Sequence, residues 1–197
     1  MTGVQTCALP ISATINKAGL TLSSATVANK TYDGTTDASV TGGTLTGLIG
    51  QETLGVSGSG VFIDKNAGAN KAVTATAINL ANAGTGATAG LASNYTLASI
   101  IPTTAMKADI NKAELVLNSA TVANKNYDGN TTARVIDGTL TGLIGSETLR
   151  VTGAGVFADK NVGTNKPVTA TAINLINAGT DATAGLASNY KIGRAHV

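Results

Sequence analysis

Apolar and polar positions alternate along most of this chain. In "ETLRVTGAGVFA" (147–158), Leu149 and Val151 stand between Thr148 and Arg150, the period-two pattern of a half-buried strand. "PVTATAINLI" (167–176) alternates again. "ELVLNSATV" (114–122) reads as a strand, and "TARVIDGTLTG" (132–142) as a strand or as a hairpin bent at Asp137-Gly138. Between these, "NYDGN" (126–130) is a turn in which Asp128-Gly129 tolerate positive φ, and "DKNVGTN" (159–165) is a polar loop.

The whole pattern occurs twice. "INKAGLTLSSATVANKTYDGTT" begins at Ile15 and "INKAELVLNSATVANKNYDGNT" at Ile110, an offset of 95 that holds without a gap to Tyr190. Of the 83 positions compared (13–95 with 108–190), 63 are identical. One long ungapped period means two copies of a domain, not a short-period solenoid. Several differences exchange a small residue for a charge, as at Gly19/Glu114, Ser39/Arg134, Gly55/Arg150 and Gly86/Asp181, and such positions are expected at the surface. Ala72/Pro167 falls at a strand edge, where proline is allowed.

Strands separated by turns every 8–12 residues predict an all-β chain of two tandem immunoglobulin-like β-sandwich repeats. "AGLASNYTL" (89–97) is similar to a tyrosine corner, in which the ring's hydroxyl bonds back to the preceding turn. A β-grasp-like repeat is the alternative, since "TAINLANAGTGATAGLA" (76–92) could form a short helix. In the first copy, Tyr95, Leu97 and a turn at Pro102 into 103–110 predict a closing hairpin. All six aromatics keep the repeat frame (Tyr32/Tyr127, Phe62/Phe157, Tyr95/Tyr190), so each copy has three large anchors in an otherwise thin core.

The ends differ from this body. "MTGVQTCALPIS" has no Lys or Arg before its apolar part, and that part is too short for a secretory signal. Cys7 has no second cysteine to pair with. Residues 1–11 resemble the translation of a widely used short-read sequencing adapter, and residues 192–197, with the sole histidine His196, resemble that of its complement. Both are set aside as non-native. Residues 12–111 are then repeat 1, with 12–16 the tail of a preceding repeat, and 112–191 are an incomplete repeat 2 that lacks its closing strand. Alone, 112–191 is expected to expose a sheet edge and not to fold.

Within 12–190 there are 11 Lys+Arg and 11 Asp+Glu, so no net charge supports a nucleic-acid partner. That body has no Cys and no His, which excludes a Ser/His/Asp set and most zinc and haem ligand sets. No apolar run approaches the roughly 18 residues of a membrane span. "KxYDGxT" (Lys30, Tyr32, Asp33, Gly34; Lys125, Tyr127, Asp128, Gly129) offers one carboxylate and no second at fixed spacing, and reads as a buried ring followed by a tight turn. "FxDKNxGxNK" (Phe62, Asp64, Lys65, Asn66; Phe157, Asp159, Lys160, Asn161) is too poor in acids for a calcium loop and reads as a loop that satisfies its own backbone. With Tyr95 and Tyr190, these are structural motif residues. No catalytic, cofactor-binding or metal-binding residue is expected, and no enzyme.

These motifs, in this order, resemble the YDG domain of large bacterial surface proteins, including filamentous-haemagglutinin-type adhesins. Lys30 through Thr35, Leu45-Thr46-Gly47, Phe62 through Val73 and Asn94-Tyr95-Thr96-Leu97 carry the likeness. "GLIGQET" (47–53) and "GLIGSET" (142–148) depart from the Gly-Asp expected there, which argues against a role for an acidic turn. The resemblance implies a fragment of a repetitive bacterial adhesin, secreted or on the cell surface and outer-membrane-associated. Its repeats would act as stalk or spacer and as a possible adhesive surface. The implied partners are neighbouring repeats and a host surface or glycan receptor that the sequence does not name. A carbohydrate-binding accessory module of a secreted enzyme is the alternative.

Overall fold

The computed structural model describes residues 12–100 and 106–193. The first repeat comprises β1 (Ala18–Val27), β2 (Lys30–Thr31), β3 (Asp37–Thr46), β4 (Leu54–Phe62), β5 (Gly68–Asn82), β6 (Tyr95–Ile100) and β7 (Lys107–Asn111). The second comprises β8 (Ala113–Val122), β9 (Thr132–Thr141), β10 (Leu149–Phe157), β11 (Val168–Asn177) and β12 (Tyr190–Ile192). Among the described residues there is no α-helix, only single 3-10 turns. The all-β, tandem-repeat expectation is met.

The first sheet runs β2-β7-β5-β4-β3-β1-β6 and the second β11-β10-β9-β8-β12. β1, β3, β4 and β5 form an antiparallel meander, and β6 returns to lie parallel to β1. β8 to β12 repeat this plan. At the centre of the meander, a methyl group on Gly58 would come within 2.1 Å of the Ala77 carbonyl, and one on Gly153 within 2.0 Å of that of Ala172. Only glycine permits the close approach beside the bulges at Ser59/Gly60 and Ala154/Gly155.

β5 makes the sheet fold over. Residues 68–72 pair with β7, whereas 73–82 pair with β4. β7 is thereby laid across the meander, and Ala108 and Ile110 join Val27, Val40, Phe62 and Val73 in one buried cluster. The result is sandwich-like, with β2, β7 and the start of β5 as the second layer. β7 runs into β8 with Lys112 alone between them.

Several local expectations change. β6 and β7 are not a hairpin, for β6 is the edge beside β1 while β7 lies between β2 and β5 on the far side of the sheet. Pro102 falls outside the described residues. Residues 132–141 are one strand, paired on both sides. The stretch that a β-grasp repeat would make helical is strand to Asn82, then turns at Gly84 and Gly86, whose positive φ values (79° and 57°) break a helix. The charge-exchange positions Glu114, Arg134, Arg150 and Asp181 are all exposed.

The copies differ where β7 matters. β11 begins at Val168, the equivalent of Val73, because nothing among the described residues pairs with 163–167 as β7 pairs with 68–72. No strand corresponds to β2 either. Ile192 pairs with Leu115 as Leu97 pairs with Leu20, and the Gly193 N–H donates to the Leu115 carbonyl at 2.9 Å. These two residues, set aside as foreign by the sequence reading, continue the strand, since a β-branched side chain suits it and the ladder is backbone.

Ile110 is the most buried residue that β7 contributes, at 2 % exposure. Ile110→Ala should therefore destabilise the first repeat by about 2–5 kcal/mol in urea unfolding. An unchanged midpoint would mean that β7 is an ornament of the sheet and not its second layer.

Candidate functional site

The Tyr-Asp-Gly segment is built as a turn that aims a ring. Lys30 Nζ donates to Asp33 Oδ1 at 2.8 Å and to the Thr35 carbonyl at 3.0 Å, and the Thr35 N–H donates to Asp33 Oδ1 at 2.9 Å. Burial works against the Asp33 charge, yet Lys30 and the Thr35 N–H and hydroxyl, both donating to Oδ1, hold its carboxyl below the ordinary range. Gly34 has φ of 80°, a conformation that side chains rarely adopt. Lys30 also lies 5.7 Å from the centre of the Phe62 ring. In the second repeat, Lys125, Asp128, Gly129 and Phe157 repeat this turn, with Gly129 at φ of 77°.

The Tyr32 ring does not enter its own repeat's centre alone. Its hydroxyl donates to Glu147 Oε1 at 2.5 Å, 115 residues along the chain. Tyr190 donates to the other oxygen, Oε2, at 2.7 Å, and accepts the Ile144 N–H at 3.1 Å. The two rings meet edge to face, 5.3 Å between centres at 79°. Beside them Asn189 Oδ1 accepts the Ala67 N–H at 2.9 Å, and Asn189 Nδ2 donates to Asn66 Oδ1 at 3.1 Å. Lys65 reaches Glu147 at 3.4 Å. Ile144 closes the contact against Gly34, where a methyl group would sit 3.2 Å from its Cγ2. The three motif residues thus have one purpose: Tyr32 crosses to the next repeat, Asp33 holds the turn, and Gly34 makes room for Ile144.

The electrostatics follow from the geometry. Burial raises the Glu147 carboxyl, but both tyrosine hydroxyls and Lys65 oppose this, and together they hold it below the usual range. Burial, and then the hydrogen bond to Glu147, pushes Tyr32 up to about 12 and raises Tyr190 as well.

Each repeat also has an uncovered half of this contact. Tyr127, the twin of Tyr32, is 63 % exposed against 2 %. This corrects the expectation that the ring is an anchor within its own repeat alone: β7 and the neighbouring repeat bury it together. At the other end Tyr95 donates to Glu52 Oε2 at 2.5 Å and accepts the Ile49 N–H at 3.1 Å. Its hydroxyl thus bonds 43 and 46 residues upstream, not to the preceding turn as a tyrosine corner would. Ile49 and Asn94 are exposed, whereas their twin Ile144 is half-buried and their twin Asn189 buried. Sequence reasoning passed over Glu52, Glu147 and Asn189, took Asn94 only as part of the family likeness, and discounted the acidic turn that holds the joint. A lone acid retained in both copies of "LIGxET" was the available signal.

The other motif closes on itself. Lys71 donates to Asp64 at 2.6 Å and the Asn66 N–H donates to the same oxygen at 2.8 Å, so Lys71 foremost holds the Asp64 carboxyl low. Asp159 is held low by Lys166 and by the Asn161 N–H in the same way. Asn66 is half-buried at the joint and Lys65 reaches Glu147 from the surface, whereas their twins Lys160 and Asn161 are both exposed. Among the described residues no three His, Cys, Asp or Glu side chains cluster as metal ligands would.

Tyr32→Phe leaves Oε1 of a buried carboxylate with only the 3.4 Å contact from Lys65, and should destabilise the chain by about 1–3 kcal/mol. Tyr127→Phe, at the same position of the other repeat, should change nothing measurable by denaturant titration. Glu147 has a depressed folded pKa, so its contribution is complete above the unfolded value near 4.3 and is lost as pH falls through the folded one. Tyr32 has a raised pKa, so its share is complete below about 10 and is lost as pH rises through about 12. Denaturation between pH 3 and 12 should show wild type losing stability at both ends relative to Glu147→Gln.

A family model described as the YDG domain matches residues 16–105 and again 111–196. No curated protein and no solved structure matches the chain. The two matched segments include every residue of the joint and cover most of the sequence: the chain belongs to the YDG domain family.

Proposed function

We propose that this chain is part of a repetitive bacterial surface adhesin whose YDG repeats act as a stalk or spacer, structural in role and not catalytic. One observation carries the reading: successive repeats are joined by a single residue, Lys112, and by a buried, hydrogen-bonded joint at Glu147. A joint of that kind holds a fixed angle, which a spacer needs and a free-standing binding module does not. No helix among the described residues is long and apolar enough to cross a membrane. The adhesive surface, the secreted location and the neighbouring repeats as partners belong to the same proposal.

Arrays of two, three and four repeats test the spacer. Their maximum dimension in small-angle scattering should rise by a constant step per repeat. Growth as roughly the square root of repeat number would show flexible linkage and overturn the reading. Surface location is tested by protease shaving of intact cells, which should release these repeats. A glycan array addresses the carbohydrate-module alternative: binding that Tyr127→Ala abolishes would favour that module, since this ring is the one exposed aromatic among the described residues.

A further inference from the structure

The second repeat has an open groove of about 780 Å³. Val122, Tyr127, Phe157 and Val168 contribute to its wall. Their twins in the first repeat, Val27, Tyr32, Phe62 and Val73, are all buried. The difference is β7. In the first repeat β7 lies where this groove is open, pairing with β5 on one side and β2 on the other, and Ile110 fills the space beneath it.

One described segment has the same pattern as β7. Ala13-Thr14-Ile15-Asn16-Lys17-Ala18 is the twin of Ala108-Asp109-Ile110-Asn111-Lys112-Ala113. Ile15 is 98 % exposed, where Ile110 is 2 % exposed. The segment leads directly into β1, as β7 leads into β8. Beyond it stand Glu52, Tyr95 and Asn94, the twins of the residues that receive Tyr32 and Asn66. Tyr95 occupies Oε2 of Glu52, and among the described residues nothing donates to Oε1, the oxygen that Tyr32 occupies on Glu147.

We infer that a second copy of this chain docks head to tail, its Ala13–Lys17 segment entering as a strand beside residues 163–168 while Tyr127 meets the partner's Glu52 and Tyr95. The inference rests on the geometry of the internal joint, not on a surface location or an adhesive role.

The edge is shaped for this strand in advance. Asn70, which bends the start of β5 at φ of 52°, has its twin Asn165 at 50° with no strand beside it. Pro167 replaces Ala72 without obstructing the edge. Val73 donates to the Met106 carbonyl, so the position before it lies out of phase with the β7 ladder and its N–H is not used there. The Pro167 carbonyl still accepts from Ala158 at 3.0 Å, as that of Ala72 accepts from Ile63. One contact is poorer between copies. Asp109 accepts the Asn70 N–H at 2.7 Å, and Thr14 replaces that carboxylate. Copies must also meet at the cost of translational freedom, which the internal joint avoids. The contact is heterologous, so it extends into open chains instead of closing into a dimer.

Sedimentation velocity under reducing conditions, which keep Cys7 from linking copies, tests the docking. Mass should rise with concentration between about 10 µM and 1 mM. Ile15→Asp spoils the strand and leaves the groove; Tyr127→Ala spoils the groove and leaves the strand. Both residues are exposed, and far-ultraviolet circular dichroism confirms that each variant folds. Each alone should stay monomeric. Mixed, they should form one dimer and stop, because a single intact strand meets a single intact groove. Thr14→Asp should tighten association about five- to tenfold. Wild type monomeric throughout, association that survives either variant, or a mixture that stays monomeric would overturn the inference. Arrays for scattering carry Ile15→Asp in their first repeat, which blocks association between copies, so the spacer reading and this one fail separately.

Discussion

A carboxylate lies out of water between two tyrosine hydroxyls, one from each repeat, and the relation between the repeats follows from satisfying it. Leaving such a charge unpaired in a poorly hydrated site costs several kcal/mol. Glu147 avoids that cost through two neutral donors, with half-exposed Lys65 at 3.4 Å as the nearby cation. Each donor is a rigid ring, one set by the Asp33 turn and one by the start of β12. Tyr190 cannot move far without stranding Oε2, nor Tyr32 without leaving Oε1 to the 3.4 Å contact from Lys65. The joint is therefore specified in angle as well as in distance.

This changes what counts as a unit. A 95-residue repeat taken from Ala18 to Lys112 holds all the strands of its sheet, yet it does not finish its own core. Its second layer, β7, precedes the next repeat's first strand, and its most prominent ring is buried in part by that next repeat. Stability is shared with the neighbour, as in solenoids, although each unit here is domain-sized. The two copies show both states of one sequence: Val73 and Phe62 are buried beneath β7, while Val168 and Phe157 are half-open without it.

Much of this was legible in the residues. Alternation placed β8 to β11 within a residue or two, and the Asp-Gly turns and the charge exchanges marked surface. These are local signals, carried by side-chain period and by φ. The joint was not legible, because its partners lie 115 and 123 residues apart and no local pattern links a tyrosine to a glutamate at that range. The place of β7 was missed for a related reason. A short run after Pro102 looks like the return arm of a hairpin, yet β6 is already paired with β1, and the free edge belongs to β5. Tyr127 shows the limit of reading copies alike: the same motif is core in one context and surface in another.

Lys112 has a mechanical meaning. A pull on the two ends of a repeat array first takes up whatever slack lies between folded parts, and here that slack is one residue, about 3.5 Å. After that the force falls on the Tyr32–Glu147–Tyr190 bonds and on the ladder of β7. An array of such joints has almost no compliance at low load, and it extends afterwards by discrete ruptures, one repeat at a time.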